Sequence, residues 1–316
     1  MERIDFIDFA KGICILLVVV GHINIPYIIP GLGDAKVLLF FILSGFFFRK
    51  TYNQGGYIIK KINTLLIPFA LYYILSYLFF YGLKFSAPNL LTSFAGQCNG
   101  IQDVFLQRQL FNGPIWFLLS LFEVELLYFF IFKYVKTEWG HLLTCFLFSL
   151  IGLYFAYIKL DVPLWIDTSL VALFFFSLGD LFCRYNVFEQ KVFSRRNSVL
   201  WMLIFWAIYF LFPCHVSMSI NRYSSGILLY ISGTSIVLAV LFFSKFVNKD
   251  FLVSWIGKNT LVILCTHHLI YRPIKYFCDT PVLVFIITML IEYGIIVLFN
   301  KYCPYLNGRY QFIKTV

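Results

Sequence analysis

The chain has 316 residues, of which 61% are hydrophobic, 21% aromatic and only 13% charged, with a mean hydropathy of +0.84. That composition excludes a soluble globular domain and describes a polytopic membrane protein of the all-α class. The net charge of +10 fits membrane topology and contact with anionic lipid, and it gives no argument for nucleic acid.

With about 20 apolar residues per span, the chain divides into ten apolar segments: 8–29, 33–50, 62–83, 113–134, 140–159, 166–184, 197–213, 225–247, 258–277 and 280–300. The connectors are mostly short and no sequence repeat stands out, so residues 1–316 read as one integral membrane domain. The first segment lacks a small-residue cleavage site and reads as a retained spanning helix rather than a signal peptide.

That first segment carries Asp8, Lys11 and His22. Ionisable groups at such depth cost about 2.5–3.5 kcal/mol each on insertion scales, so they mark a functional site by default. Eleven helical steps make three turns plus about 20°, which sets Lys11 and His22 on one face with about 16 Å of rise between them. Asp8 lies one turn before Lys11, a spacing for an ion pair. The bland alternatives are an interfacial anchor with a snorkelling lysine and a buried His bonded to a backbone carbonyl.

The second segment contains Leu43-Ser44-Gly45-Phe46, small enough to let helices approach or to pass a slender ligand. Arg49, Lys50, Lys60 and Lys61 flank a Gly-Gly stretch expected to be a loop, and they suit either phosphate contact or simple cytoplasmic retention. The outer connector 85–112 interleaves amides with Phe94, Phe105 and Phe111, a composition fit for sugar or for plain solvation. The fourth segment opens on Gly113-Pro114 and Trp116, a residue common at membrane interfaces. It then carries Glu123 and Glu125; Glu123 is deep enough to need protonation or a partner. Asp180 pairs by spacing with Arg184.

The ninth segment places His267 and His268 toward its outer half. His267 is a candidate to orient His22, hold an acceptor or polarise a carbonyl, or it makes a structural bond between helices. His268 points about 100° away and reads as a bystander. The eight cysteines show no C-x-x-C or zinc-type His/Cys spacing, so no metal is expected and buried apolar roles suffice. With a cytoplasmic N-terminus, eighteen of the 25 Lys and Arg residues fall on the inner side and seven, Lys36 and Arg272 among them, on the outer. The positive-inside rule then puts both termini in the cytoplasm.

Five stretches, in order, carry a resemblance: R-I-D-F-I-D-F-A-K-G-I-C-I-L-L-V-V-V-G-H-I-N (Arg3 to Asn24), F-F-I-L-S-G-F-F (Phe40 to Phe47), K-K-I-N-T-L-L-I-P-F (Lys60 to Phe69), G-P-I-W-F-L-L-S-L-F (Gly113 to Phe122) and I-G-K-N-T-L-V-I-L-C-T-H (Ile256 to His267). Together they resemble the acyltransferase-3 family of integral membrane proteins, and its fucose 4-O-acetylase-related branch in particular. The resemblance implies an enzyme that takes an acyl group, usually acetyl, from acyl-coenzyme A and delivers it to a carbohydrate hydroxyl, often at the outer face of a bacterial inner membrane.

The family's basic residue followed by His falls on Lys11 and His22, and its basic pair on Lys60 and Lys61. Leu65 stands where many members have a further Arg. His267 occupies the family's position ten residues after Gly257.

The resulting expectation is an O-acetyltransferase. His22 and His267 are its catalytic candidates; Lys11, Arg49, Lys60 and Lys61 meet the acetyl-CoA donor; Asp8, Ser44 and Trp116 support the site. Sugar hydroxyls need a base, and His suits that task near neutrality. The competing classes are a glycan-precursor transporter or flippase, and a scaffold without chemistry. The acceptor sugar and the oligomeric state are not legible.

Overall fold

The computed structural model describes residues 5–27, 29, 31–48, 54–86, 110–248 and 250–314. Its helices are α1 (Asp5–Ile23), α2 (Leu32–Phe46), α3 (Gln54–Lys61), α4 (Ile67–Ser86), α5 (Trp116–Tyr134), α6 (Glu138–Tyr157), α7 (Ile166–Arg184), α8 (Ser198–Leu211), α9 (Leu228–Val247), α10 (Phe251–Lys258), α11 (Thr260–Phe277) and α12 (Pro281–Tyr302). A two-stranded hairpin, β1 (Val216–Ser217) with β2 (Arg222–Tyr223), pairs Val216 with Tyr223.

Each of the ten apolar segments forms a helix. Seven stretches among the described residues are long and apolar enough to cross a membrane: 5–23, 56–82, 113–134, 138–157, 163–184, 228–247 and 281–302. The other three fall short. α2 has 15 residues and α8 has 14, below the roughly 17 needed for a span. α11 is diluted by its two histidines, Arg272 and Lys275.

Element ends follow local chemistry. α1 stops at Ile23 rather than continuing to 29, because Asn24 turns into the left-handed region (φ 65°) and Pro26 follows. The Gly-Gly stretch expected as a loop is instead helical, and α3 continues through a π-helical turn at Ile62–Leu66 into α4.

Burial separates central from peripheral helices. α9 buries every residue from Ser235 to Phe242 and so runs through the middle of the bundle. α12 buries Val284, Thr288, Glu292 and Ile296, and α6 buries His141, Cys145, Ser149 and Gly152. Steps of three and four residues make one narrow inward stripe. On α6 that stripe is small or polar while Leu143, Leu147 and Ile151 are exposed, the arrangement expected where lipid replaces water.

Glycines set the closest contacts. A Cβ on Gly45 would stand 1.8 Å from the Phe176 carbonyl oxygen, and one on Gly179 1.9 Å from that of Ile42. α2 and α7 therefore touch backbone to backbone, the packing use expected of the Leu-Ser-Gly-Phe stretch. Gly12 and Gly257 do the same for α1 and α10, meeting the carbonyl oxygens of Val253 and Asp8. The charged half of α1 is thereby fixed against the bundle.

Candidate active site

α1, α2, α5 and the β1–β2 hairpin enclose a cavity of about 700 Å³. Lys11, Ile15, Val18 and His22 all line it, so the face inferred from an eleven-residue spacing is the face that meets open space. Ser44, Trp116 and Thr64 contribute to the same wall. At the lysine end, Lys11 Nζ lies 4.8 Å from the centre of the Phe47 ring, a cation–π distance. Asp8 is buried one turn earlier. At the other end the wall includes Tyr27, Lys36, Trp165 and residues His215 to Ile220.

His22 meets both histidines of α11. Its ring centre is 4.6 Å from that of His268 and 5.3 Å from that of His267. His268 Nε2 stands 3.3 Å from His22 Nδ1 and 3.2 Å from the Tyr271 hydroxyl. His268, expected to be a bystander, is thus the histidine in polar contact with His22. A 100° step along α11 turns it toward α1.

His267 is fully buried, and its Nδ1–H donates to the Ile263 carbonyl at 2.6 Å. That bond leaves Nε2 with the ring's lone pair, and it has no hydrogen-bond partner among the described residues; nor does His268 Nδ1. Ile263 lies one turn back on α11 itself, so this bond is internal to the helix and is not the bond between helices named as the structural alternative for His267.

One ring nitrogen from each of His22, His267 and His268 lies within 4.8 Å of the others. Tetrahedral zinc at about 2.0–2.1 Å from each imidazole would hold them roughly 3.3 Å apart. The His22–His268 pair meets that spacing and the set as a whole is more open, so these are the residues that could hold a divalent cation after a modest closure. Spacing rules along one chain segment miss this set because it joins α1 to α11.

The remaining candidates are dispersed. Lys61 pairs with the buried carboxylate of Glu125, which also accepts from the Tyr57 hydroxyl. Lys60 is exposed, and neither lysine lines the cavity. Arg49, Lys50 and residues 87–109 of the outer connector lie outside the described residues. Glu123 accepts from Ser169 Oγ at 2.7 Å. Asp180 receives Arg184 Nε at 2.7 Å and the Tyr128 hydroxyl at 2.5 Å, the first of these being the expected pair. Unforeseen from sequence are Tyr27, Lys36, Asp34, Trp165 and the hairpin; Lys36 carried a usable signal as a lysine near the start of an apolar segment.

Searches among curated proteins and among solved structures found no match. The Acyl_transf_3 family model, described as an acyltransferase domain, matches residues 4–301. That match takes in nearly the whole helical bundle and every wall of the cavity except its Asn307–Gly308 edge. The chain belongs to the acyltransferase-3 family, and it is a multi-pass membrane acyltransferase with a donor and an acceptor to accommodate.

Proposed function

We propose that this protein transfers an acetyl group from acetyl-CoA to a hydroxyl of a surface polysaccharide or lipid-linked glycan, with His22 as general base. The observation that carries the reading is that Lys11 and His22 line one cavity about 16 Å apart along α1. Donor and base then occupy opposite ends of a single passage. The coenzyme's phosphates are met at the Lys11 end, with Lys60, whose carbonyl accepts from the lining residue Thr64, adding positive charge nearby. The slender pantetheine arm runs past Ile15 and Val18 and delivers the thioester to His22.

In the reaction, His22 Nδ1–H donates to His268 Nε2, which leaves the His22 Nε2 lone pair facing the cavity. The acceptor O–H gives its proton to Nε2 as its oxygen attacks the thioester carbonyl carbon. The tetrahedral oxyanion collapses, the C–S bond breaks, and the imidazolium returns the proton to the departing thiolate. The products are the sugar ester and free coenzyme A. His268, itself in contact with the Tyr271 hydroxyl, holds the His22 ring during these two proton movements.

The wider setting we infer is a bundle in which the three helices that fall short complete their crossings with the non-helical residues that flank them, giving ten passes with both termini cytoplasmic in a bacterial inner membrane, within the fucose 4-O-acetylase-related branch. Counted over the connectors, the lysine and arginine bias supports this orientation. The test is transfer of labelled acetyl from acetyl-CoA to cell-envelope glycan in membrane vesicles. Label on carbohydrate that depends on this protein is expected. Its absence, together with absence of coenzyme A binding, would move the assignment to another class.

A further inference from the structure

The cavity holds a second charged feature, beside His22 rather than at the donor end. Lys36, on the second turn of α2, lines a mostly apolar wall and donates from Nζ to the Tyr27 hydroxyl at 3.0 Å. Tyr27 in turn donates to the Leu17 carbonyl at 3.0 Å. This pair fills the space a side chain at position 21 would take: a Cβ on Gly21 would stand 2.2 Å from the Tyr27 oxygen and 2.8 Å from Lys36 Nζ. Gly21 immediately precedes His22, so the missing side chain admits an ammonium next to the base.

The carboxylate among the described lining residues, Asp34, is engaged elsewhere. It accepts from the Tyr209 hydroxyl at 2.8 Å and the Val216 N–H at 2.8 Å, and stands 3.2 Å from His215 Nδ1. An ammonium has three donors, and the neutral Tyr27 hydroxyl satisfies one. A half-buried ammonium gains a charge-assisted hydrogen bond when an anion reaches it, and this wall offers Lys36 a phenol.

Trp165 lines the same cavity and its backbone is unusual. Leu164 and Trp165 are consecutive non-glycine residues in the left-handed region, at φ 62° and 64°. Strain of this kind persists where surrounding contacts enforce it, and it clusters at binding sites. Here Trp165 Nε1 donates to the Ser219 carbonyl at 2.8 Å, and its ring centre lies 6.2 Å from that of Trp116 at a 30° interplanar angle. The distortion holds a second indole in the cavity wall.

We infer that this end of the cavity is a subsite for an acidic sugar: Lys36 takes an anionic oxygen group of the acceptor, while the cavity-lining edge of Trp116, backed by the buried Trp165, bounds the space for its ring, so that one hydroxyl is presented to His22. The inference rests on the acyl-transfer reading and names its acceptor class. The anion is a uronic carboxylate or a sugar phosphate, two sources of one chemistry.

The test is direct binding to the full-length protein in lipid nanodiscs, with methyl glucuronide, glucose 1-phosphate and methyl glucoside as probes. Binding is compared for wild type, Lys36→Gln and Lys36→Arg, alongside the acetyl-transfer assay. Wild type is expected to bind one acidic probe about tenfold more tightly than the neutral glucoside, the gain of a charge-assisted hydrogen bond. Lys36→Gln should lose that preference and Lys36→Arg keep it, which separates lost charge from lost folding. Which acidic probe wins identifies the anion. Equal binding of all three probes by wild type, or an unchanged preference in Lys36→Gln, overturns the subsite. Lys36-dependent acidic binding without acetyl transfer would leave the subsite standing and fail the acyl-transfer reading; transfer without that preference does the reverse.

Discussion

His22 and His268 stand 246 positions apart in the chain, yet their Nδ1 and Nε2 atoms are 3.3 Å apart. The contact engages Nδ1 of His22 and leaves Nε2 for the proposed proton transfer, and Tyr271 bonds His268 in turn. His268 is therefore a positioning residue in the proposed chemistry.

His268→Ala should lower kcat by about tenfold to a hundredfold, part of the 10²–10⁴ that a positioned acid–base group supplies, with little change in the KM for acetyl-CoA. His268→Asn, which keeps an acceptor, should recover part of the loss. The same preparations settle the metal question. The base mechanism needs a free His22, so prolonged chelation should leave transfer intact. Activity lost to chelator and restored by zinc would make the three histidines a metal site and displace His22 as base.

Lys11→Ala should raise the KM for acetyl-CoA by about tenfold, the scale of one charge-assisted contact, and leave the acceptor KM unchanged. Lys11→Arg should retain donor affinity. Steady-state kinetics with each substrate varied in turn decides the point, and an unchanged donor KM removes Lys11 from the donor site.

Lys61 gives the opposite expectation. Its partner Glu125 is 2% exposed, so Lys61→Ala leaves a carboxylate uncompensated inside the bundle. The expected cost is about 3 kcal/mol of stability, read as a lower melting temperature in detergent, with donor KM unaltered in the folded fraction. A rise in donor KM at constant stability would return Lys61 to the coenzyme site.

Gly45→Ala should be among the most damaging single-methyl changes, since the new Cβ meets a carbonyl oxygen of α7 and not a movable side chain. A loss of about 2 kcal/mol or more is expected. Gly294, with nothing within 4 Å of its would-be Cβ, provides the control: Gly294→Ala should be neutral or slightly stabilising. Thermal melts of the two variants side by side make the comparison.

Much of this architecture is written in hydropathy, because lipid requires a span to be a long apolar helix, and seven of the ten segments form helices that meet that requirement among the described residues. The alignment of Lys11 with His22 was legible for the same reason, as helical periodicity alone sets it. Partner choice was not. Lys61 could be sorted to one side of the membrane by its sign, but its attachment to Glu125 depends on how α3 leans on α5. His268 was misjudged because a 100° step says where a side chain turns from its neighbour and not which helix it turns toward. The Lys36–Tyr27 pair over Gly21 needs the bend at Asn24, which places residue 27 back against α1. Neither that bend nor the strained Leu164–Trp165 turn has a periodic signature.

The central claim is that His22 moves the acceptor proton. The most direct measurement is single-turnover transfer of labelled acetyl by wild type and His22→Ala at matched amounts of folded protein in nanodiscs, with acetyl-CoA binding measured on the same samples. The account predicts that His22→Ala binds acetyl-CoA like wild type and transfers at least about a hundredfold more slowly. Transfer at the wild-type rate by His22→Ala would contradict it.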